Sequence, residues 1–321
     1  MSAAVAVDVA GGPLGGAARF RAELYRYLKN SDRRDVKVIG ADRRIDPSWL
    51  IRRESTSFPK YRRVAINNVS FVTPGTEKWT LLRNVLHFLD HGEAAQLDPS
   101  VVAANRWKAR IVQLAAQRAD VLVVPCTAMA ERVARSLPSV ANRIVVRPHP
   151  VSAASVSSPT PDPAILCPVI FAPYKQMPER IAEFLAAMDD HNEASVRLRV
   201  TADRCEVPDS LACHPRLDLV GRLSHSDLRS VWARSCAIYY PTGLESFGYP
   251  LAEARVNGQP VIARDTSQNR EIAGPALCGY VPGDTKSMTN AITRALNVHV
   301  EPDPRAFDPE SYFNWLLAGS R

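Results

Sequence analysis

The stretch AIYYPTGLESFGYPLAEARVNGQPVIA, residues 237–263, decides the fold. It opens on four apolar residues, Ala237, Ile238, Tyr239 and Tyr240, which read as a buried strand. Pro241-Thr242-Gly243-Leu244 breaks that strand into a loop. Pro250 suits the first helical turn, where its missing N–H leaves no bond unmade, so a helix is predicted to start near Tyr249–Pro250. Gly258 ends that helix, and Pro260 leads into the next strand, Val261-Ile262-Ala263. Strand, loop, helix, strand is a parallel crossover unit, and in such sheets ligands bind at the carboxyl ends of the strands.

Two carboxylates flank this predicted helix start. Glu245 lies on the loop and Glu253 in the first turns of the helix. Backbone amides near Phe247, Gly248 and Tyr249 would then form an anion site between them. A pair of Glu residues is usually a solvated face; the strand–loop–helix setting favours a holder for hydroxyls on either side of a diphosphate.

The same alternation runs along the chain. Strands are predicted at residues 5–9, 36–39, 64–72, 84–88, 120–124 and 144–146, with helices at 17–29, 101–118 and 128–136, the last capped by Thr127. Residues 149–163, rich in Ser and Pro, have a linker's composition. A second series follows: strands at 165–172, 196–200, 217–220, 237–240 and 261–263, and helices at 178–188, 227–235, 251–256 and 285–296. The expected class is α/β, as two doubly wound Rossmann-like domains facing a cleft. The divisions are 1–150, a linker at 151–163, 164–305, and a C-terminal segment at 306–321.

Charge divides along the same line. Residues 1–150 hold 24 Lys+Arg against 13 Asp+Glu, or +11, and the remainder 16 against 20, or −4. A basic half points to an anionic partner, against the plainer reading of solvated helix faces. The six cysteines form neither CxxC pairs nor Cys/His spacing for zinc, so neither a metal site nor a disulfide framework is expected. Reduced thiols, with no apolar run of transmembrane length, suggest a cytoplasmic protein, peripheral to a membrane if it meets one. Gly11-Gly12-Pro13-Leu14-Gly15-Gly16, after the first strand, is either a tight turn or a loop whose Gly15 and Gly16 let backbone approach a phosphate or sugar.

The stretch PTGLESFGYPLAEARVNGQPVIARDTSQNREIAG, residues 241–274, resembles the donor-site signature of retaining family-4 glycosyltransferases of the GT-B fold, with its E-x7-E element. Looser, collinear likenesses are the Ala119-Asp120 strand with Thr127, the glycine loop, and Leu86-His87-Phe88-Leu89-Asp90. The resemblance implies sugar transfer from a nucleotide diphosphate, a UDP- or GDP-sugar, to a hydroxyl with retention and without a metal. It implies that Glu245 and His87 meet the donor sugar, that the amides of Phe247, Gly248 and Tyr249 assist, that Glu253 holds the ribose, and that Arg222 borders the base. Where the family places Gly-Arg and then Lys-Gly for the diphosphate, this chain has Pro173-Tyr174-Lys175 and Pro178-Glu179-Arg180, so Lys175 or Arg180 would serve.

The acceptor is expected on the basic half, around Arg62, Arg63, Arg106 and Lys108. Two anionic partners fit those residues. One is a membrane surface carrying a lipid acceptor. The other is DNA bearing a hydroxymethylated base, as for phage base glucosyltransferases, with Tyr61 and Trp107 among the cations. A small-molecule acceptor, or a GT-B scaffold that binds nucleotide without turnover, are the further readings.

Overall fold

A computed structural model describes residues 5–12, 15–56, 62–74, 77–153, 162–190 and 195–318. The chain divides into two compact units. The first comprises Met1–Pro150, Glu245–Phe247 and Phe307–Arg321, and the second Val151–Leu244 and Gly248–Ala306. Of the linker expected at 151–163, residues 154–161 lie outside the described residues, as do Pro13, Leu14, Lys60 and Tyr61.

The first unit runs β1 (Val5–Asp8), α1 (Gly15–Asn30), β2 (Val36–Ile39), α2 (Pro47–Thr56), β3 (Arg62–Ala65), β4 (Lys78–Leu81), α3 (His91–Ala95), α4 (Pro99–Ala116), β5 (Val121–Val124), α5 (Thr127–Ser136) and β6 (Ile144–Val146). The second runs β7 (Asp162–Cys167), α6 (Met177–Asp189), β8 (Arg197–Val200), α7 (Asp209–Ala212), β9 (Leu217–Leu219), α8 (His225–Arg234), β10 (Ser235–Tyr240), α9 (Tyr249–Asn257), β11 (Val261–Arg264), α10 (Ser267–Ala273), β12 (Leu277–Tyr280) and α11 (Thr285–Asn297). The final helix, α12 (Pro309–Ala318), belongs to the first unit.

Each unit holds a six-stranded parallel sheet, ordered β2-β1-β3-β4-β5-β6 and β12-β11-β10-β7-β8-β9. These are the two doubly wound sheets that the alternation predicts. The inner strands β1, β5 and β10 are short and buried along nearly their whole length, as parallel sheets covered by helices require. In the first core, Val5, Val7, Val64, Trp79 and Val123 pack with Phe20 and Leu24 of α1 and with Tyr312, Phe313, Leu316 and Leu317 of α12.

Three local expectations are corrected. The strand expected at 84–88 is a 3-10 turn, Val85–His87, because Asn84 caps it by accepting from Leu86 N at 3.1 Å; the strand lies earlier, in β4. The strand expected at 64–72 ends at Ala65, and Asn68 adopts a left-handed φ of 72°. Thr127 does not cap α5: it is the first helical residue, and the capping position is Cys126, which makes no side-chain cap bond. Helix α8 is capped by Ser224, which accepts from Asp227 N at 3.2 Å.

Candidate functional site

Read from β9, the second sheet has the order β9-β8-β7-β10-β11-β12. The winding reverses between β7 and β10, and ligands of doubly wound sheets sit at the carboxyl ends of the two strands at that reversal. The loop after β10 spans residues 241–248. It enters α9 through Gly248, whose φ of 83° is left-handed. The left-handed backbone calls for glycine, and a Cβ there would crowd Leu251 Cδ1 at 3.0 Å and Tyr240 Cε1 at 3.2 Å. No side chain caps α9; Pro250 sits in its first turn, and Leu251 N turns back to Gly248 O at 2.9 Å. A helix start without a capping side chain suits an anion. Glu253 is half-buried within α9.

The loop after β7 lies on the other side of the reversal. Thr201 Oγ1 accepts from Val169 N at 3.0 Å, tying the loop to the end of β8. Lys175 closes the 3-10 turn Pro173–Lys175 and stands close enough to influence Cys167 electrostatically. Gln176 follows at φ 50°, a left-handed conformation unusual for a residue with a side chain. Arg180 is turned along α6: it contacts Glu183 at 3.3 Å and donates to Gln176 Oε1 at 2.9 Å. Arg264, at the carboxyl end of β11, is a cation that the sequence reading missed. Its guanidinium covers Gly243, where any Cβ would collide with it. The pattern Val-Ile-Ala-Arg at a strand end was the available signal. Arg222 follows β9 and pairs with Glu206 and, at 3.9 Å, with Asp203.

Glu245, Ser246 and Phe247 group with the first unit. Ser246 Oγ donates to Arg83 O at 2.7 Å, and Cys126 Sγ donates to Ser246 O at 3.3 Å. Arg83 and Cys126 follow β4 and β5, so this segment is anchored at the carboxyl edge of the first sheet. Phe247 is buried edge-on against His149, with centroids 5.0 Å apart, and against Phe307 at 5.8 Å. His149 is itself buried, and burial beside Arg83 holds its pKa well below the usual histidine value. No local motif in the sequence marks Arg83 or Cys126 as neighbours of this segment.

His87 is 7% exposed. With its oxygen committed to Leu86 N, Asn84 offers its Nδ2 to His87 Nε2 at 3.2 Å. Nε2 is therefore the acceptor and the ring proton sits on Nδ1, which is buried without a hydrogen-bond partner among the described residues. Burial, aided by the charge of Lys108, lowers the pKa to about 4, so the ring is neutral near pH 7.

The four expected acceptor cations separate. Arg62 and Arg63 do not present their guanidiniums outward: they are 5% and 1% exposed, at the amino-terminal end of β3. Arg62 lies 4.2 Å from the Trp79 ring centroid and 3.4 Å from Glu77. Arg63 donates to Thr73 Oγ1 at 2.6 Å and sits 3.6 Å from Glu54. Arg106 and Lys108 are exposed on α4. The glycine loop after β1 is braced from α1, where Arg21 donates to the carbonyls of Gly11 at 3.2 Å and Gly12 at 2.6 Å. Gly15 begins α1 at φ 69°, followed by Gly16, and a Cβ on Gly15 would meet nothing within 4 Å. Among the described residues no three His, Cys, Asp or Glu side chains cluster as a metal site, and no helix is long and apolar enough to cross a membrane.

Residues 209–308 match the model of the family described as Glycosyl transferases group 1. No curated protein matches the chain in sequence. In structure the chain is similar to sucrose-phosphate synthase from Thermosynechococcus elongatus, with 15% identity, a TM-score of 0.62, and coverage of 98% of this chain and 96% of that one. It is similar to WaaG, a glycosyltransferase involved in lipopolysaccharide biosynthesis, with 13% identity, a TM-score of 0.64, and coverage of 98% and 100%. A third similar structure is HepE from Anabaena in complex with UDP and glucose, with 14% identity, a TM-score of 0.60, and coverage of 98% and 95%. These likenesses, with the two parallel sheets, give the chain the GT-B fold.

Proposed function

We propose that this chain is a retaining glycosyltransferase of the family-4 type, which moves a sugar from a nucleoside diphosphate to an acceptor hydroxyl. The observation that carries the reading is the left-handed Gly248 opening an uncapped α9 at the sheet's reversal point, with a carboxylate on each side in sequence. In this reading Glu245 binds donor-sugar hydroxyls, the amides at the start of α9 meet the diphosphate, and Glu253 holds the ribose. His87 contacts the donor sugar.

The sugar C1–O bond to the diphosphate breaks, and a bond from C1 to the acceptor oxygen forms. The acceptor proton leaves with the departing diphosphate oxygen. Negative charge grows on that oxygen, so fixed donors and cations lower the barrier. Lys175, which closes the turn after β7, or Arg180, in the first turn of α6, takes that role. Arg264 is a further cation, lying against Gly243 in the loop after β10. The acceptor belongs to the basic first unit, in keeping with its +11 over residues 1–150.

The test is donor hydrolysis and transfer across a panel of UDP- and GDP-sugars, beginning with UDP-glucose. Wild type turns over at least one donor, and Glu245→Ala lowers that rate about 100-fold or more. Full activity in Glu245→Ala would remove the assignment. Nucleotide binding without turnover of any donor would favour a non-catalytic scaffold.

A further inference from the structure

Helix α4 is apolar on two sides. Val112, Ala115 and Ala116 face the core. Roughly a third of a turn around the helix, Trp107, Ile111 and Leu114, spaced i, i+4, i+7, form a stripe left in solvent at 72%, 49% and 61% exposure. A soluble helix normally turns charge outward, so this stripe asks for an occupant. Its borders are basic. At 100° per residue, Arg106 and Arg110 flank one edge and Lys108 the other, and the helix contains neither Asp nor Glu. Arg106, Trp107 and Arg110 line a shallow pocket of about 210 Å3.

We propose that the outward face of α4 docks on an anionic lipid surface. Trp107, Ile111 and Leu114 enter the interface between headgroups and acyl chains, Arg106, Lys108 and Arg110 meet the headgroup charge, and the pocket seats a headgroup phosphate between two guanidiniums. Charge selects this occupant over the others. A symmetric pairing of two copies through this face would set arginines against arginines. A nucleic-acid backbone would satisfy the cations but leave Ile111 and Leu114 without a partner. The helix lies on the surface and does not span it, as its length, basic flanks and second, core-facing stripe require.

This extends the glycosyl-transfer reading by naming where its acceptor lies. The assay contains no nucleotide sugar, so the two readings stand or fall separately.

Full-length protein is mixed with phosphatidylglycerol-containing vesicles and with phosphatidylcholine vesicles, at low and high salt, and binding is read by co-sedimentation and tryptophan emission. Of the five tryptophans Trp107 is the strongly exposed one, so it reports on the surface. Wild type binds the anionic vesicles, its emission shifts to the blue, and acrylamide quenching falls. Trp107→Phe keeps the binding and loses the shift. Ile111→Ser with Leu114→Ser weakens binding about tenfold or more. Arg106→Gln with Arg110→Gln weakens it about thirtyfold at low salt and little at high salt. The proposal is overturned if wild type ignores anionic vesicles at low salt, or if the double variants bind as wild type does. It is equally overturned if light scattering finds a dimer that these variants dissolve, or if Trp107 responds to duplex DNA and not to vesicles.

Discussion

At the scale of the residue, His87 ties a structural observation to a pH dependence. Unfolded, its ring takes a proton near pH 6.5; folded, only near about 4. Between those values the unfolded chain binds more protons, so stability is full above about 6.5 and falls as pH drops toward 4. His149 pulls the same way, since its pKa is also depressed by burial. His87→Gln removes its share of the slope, on the order of 3 kcal/mol across the window. Urea midpoints for wild type and variant at neutral and acid pH measure it, and an unchanged slope would mean that the folded ring is not kept neutral. The identity of His87 was legible in Leu86-His87-Phe88-Leu89-Asp90, but its burial was not. Burial depends on Asn84 capping a 3-10 turn and on Gln113, far along the chain, donating to His87 O at 2.7 Å. Arg62 and Arg63 show the same gap. As letters they read as a basic surface, yet Trp79, Glu77, Thr73 and Glu54 hold them inside.

At the scale of the element, the crossover from β10 to β11 was read well because each boundary has a local chemical cause. Pro250 fixed the start of α9 and Gly258 its end, at φ 67°. A Cβ at Gly258 would come within 2.6 Å of Val300 O and 2.8 Å of Pro302, and a carbonyl cannot swing aside. Gly283 is also left-handed, at φ 79°, but its Cβ would meet nothing within 4 Å. Gly283→Ala therefore costs only the left-handed penalty of about 1–2 kcal/mol, and Gly258→Ala costs at least about 1 kcal/mol more. Chemical denaturation of both variants checks the difference, and equal losses would refute the steric argument. Elements lacking such punctuation were misread. In β4 the sequence Lys-Trp-Thr-Leu has only modest apolar content, so the strand was placed six residues late.

At the scale of the whole molecule, the first unit is not one stretch of chain. Helix α12 completes its core: Phe313 packs edge-on against Phe20 at 5.5 Å, Tyr27 OH donates to Asn314 Oδ1 at 2.6 Å, and Arg33 donates to Leu317 O at 3.3 Å. Deleting the chain from residue 309 onward should abolish the cooperative melting of the first unit while leaving that of the second. Each lost aromatic alone is worth about 3–5 kcal/mol. Calorimetry with hydrogen exchange resolves the two, and undiminished protection of β1 and β3 would contradict the account. The family resemblance implied a closing helix near Phe307–Trp315 that returns to the first domain, but the partners of its apolar face lie some 290 residues away and leave no local mark. That separation has a consequence in time. During synthesis the strands and helices of residues 1–150 emerge before α12 exists. At typical elongation rates of about 5–20 residues per second, the 168 residues from 151 to the end of α12 at 318 take about 10–30 s. For that interval Phe20 and its neighbours lack their last covering helix, so the nascent basic half is a client for chaperones until α12 has been made.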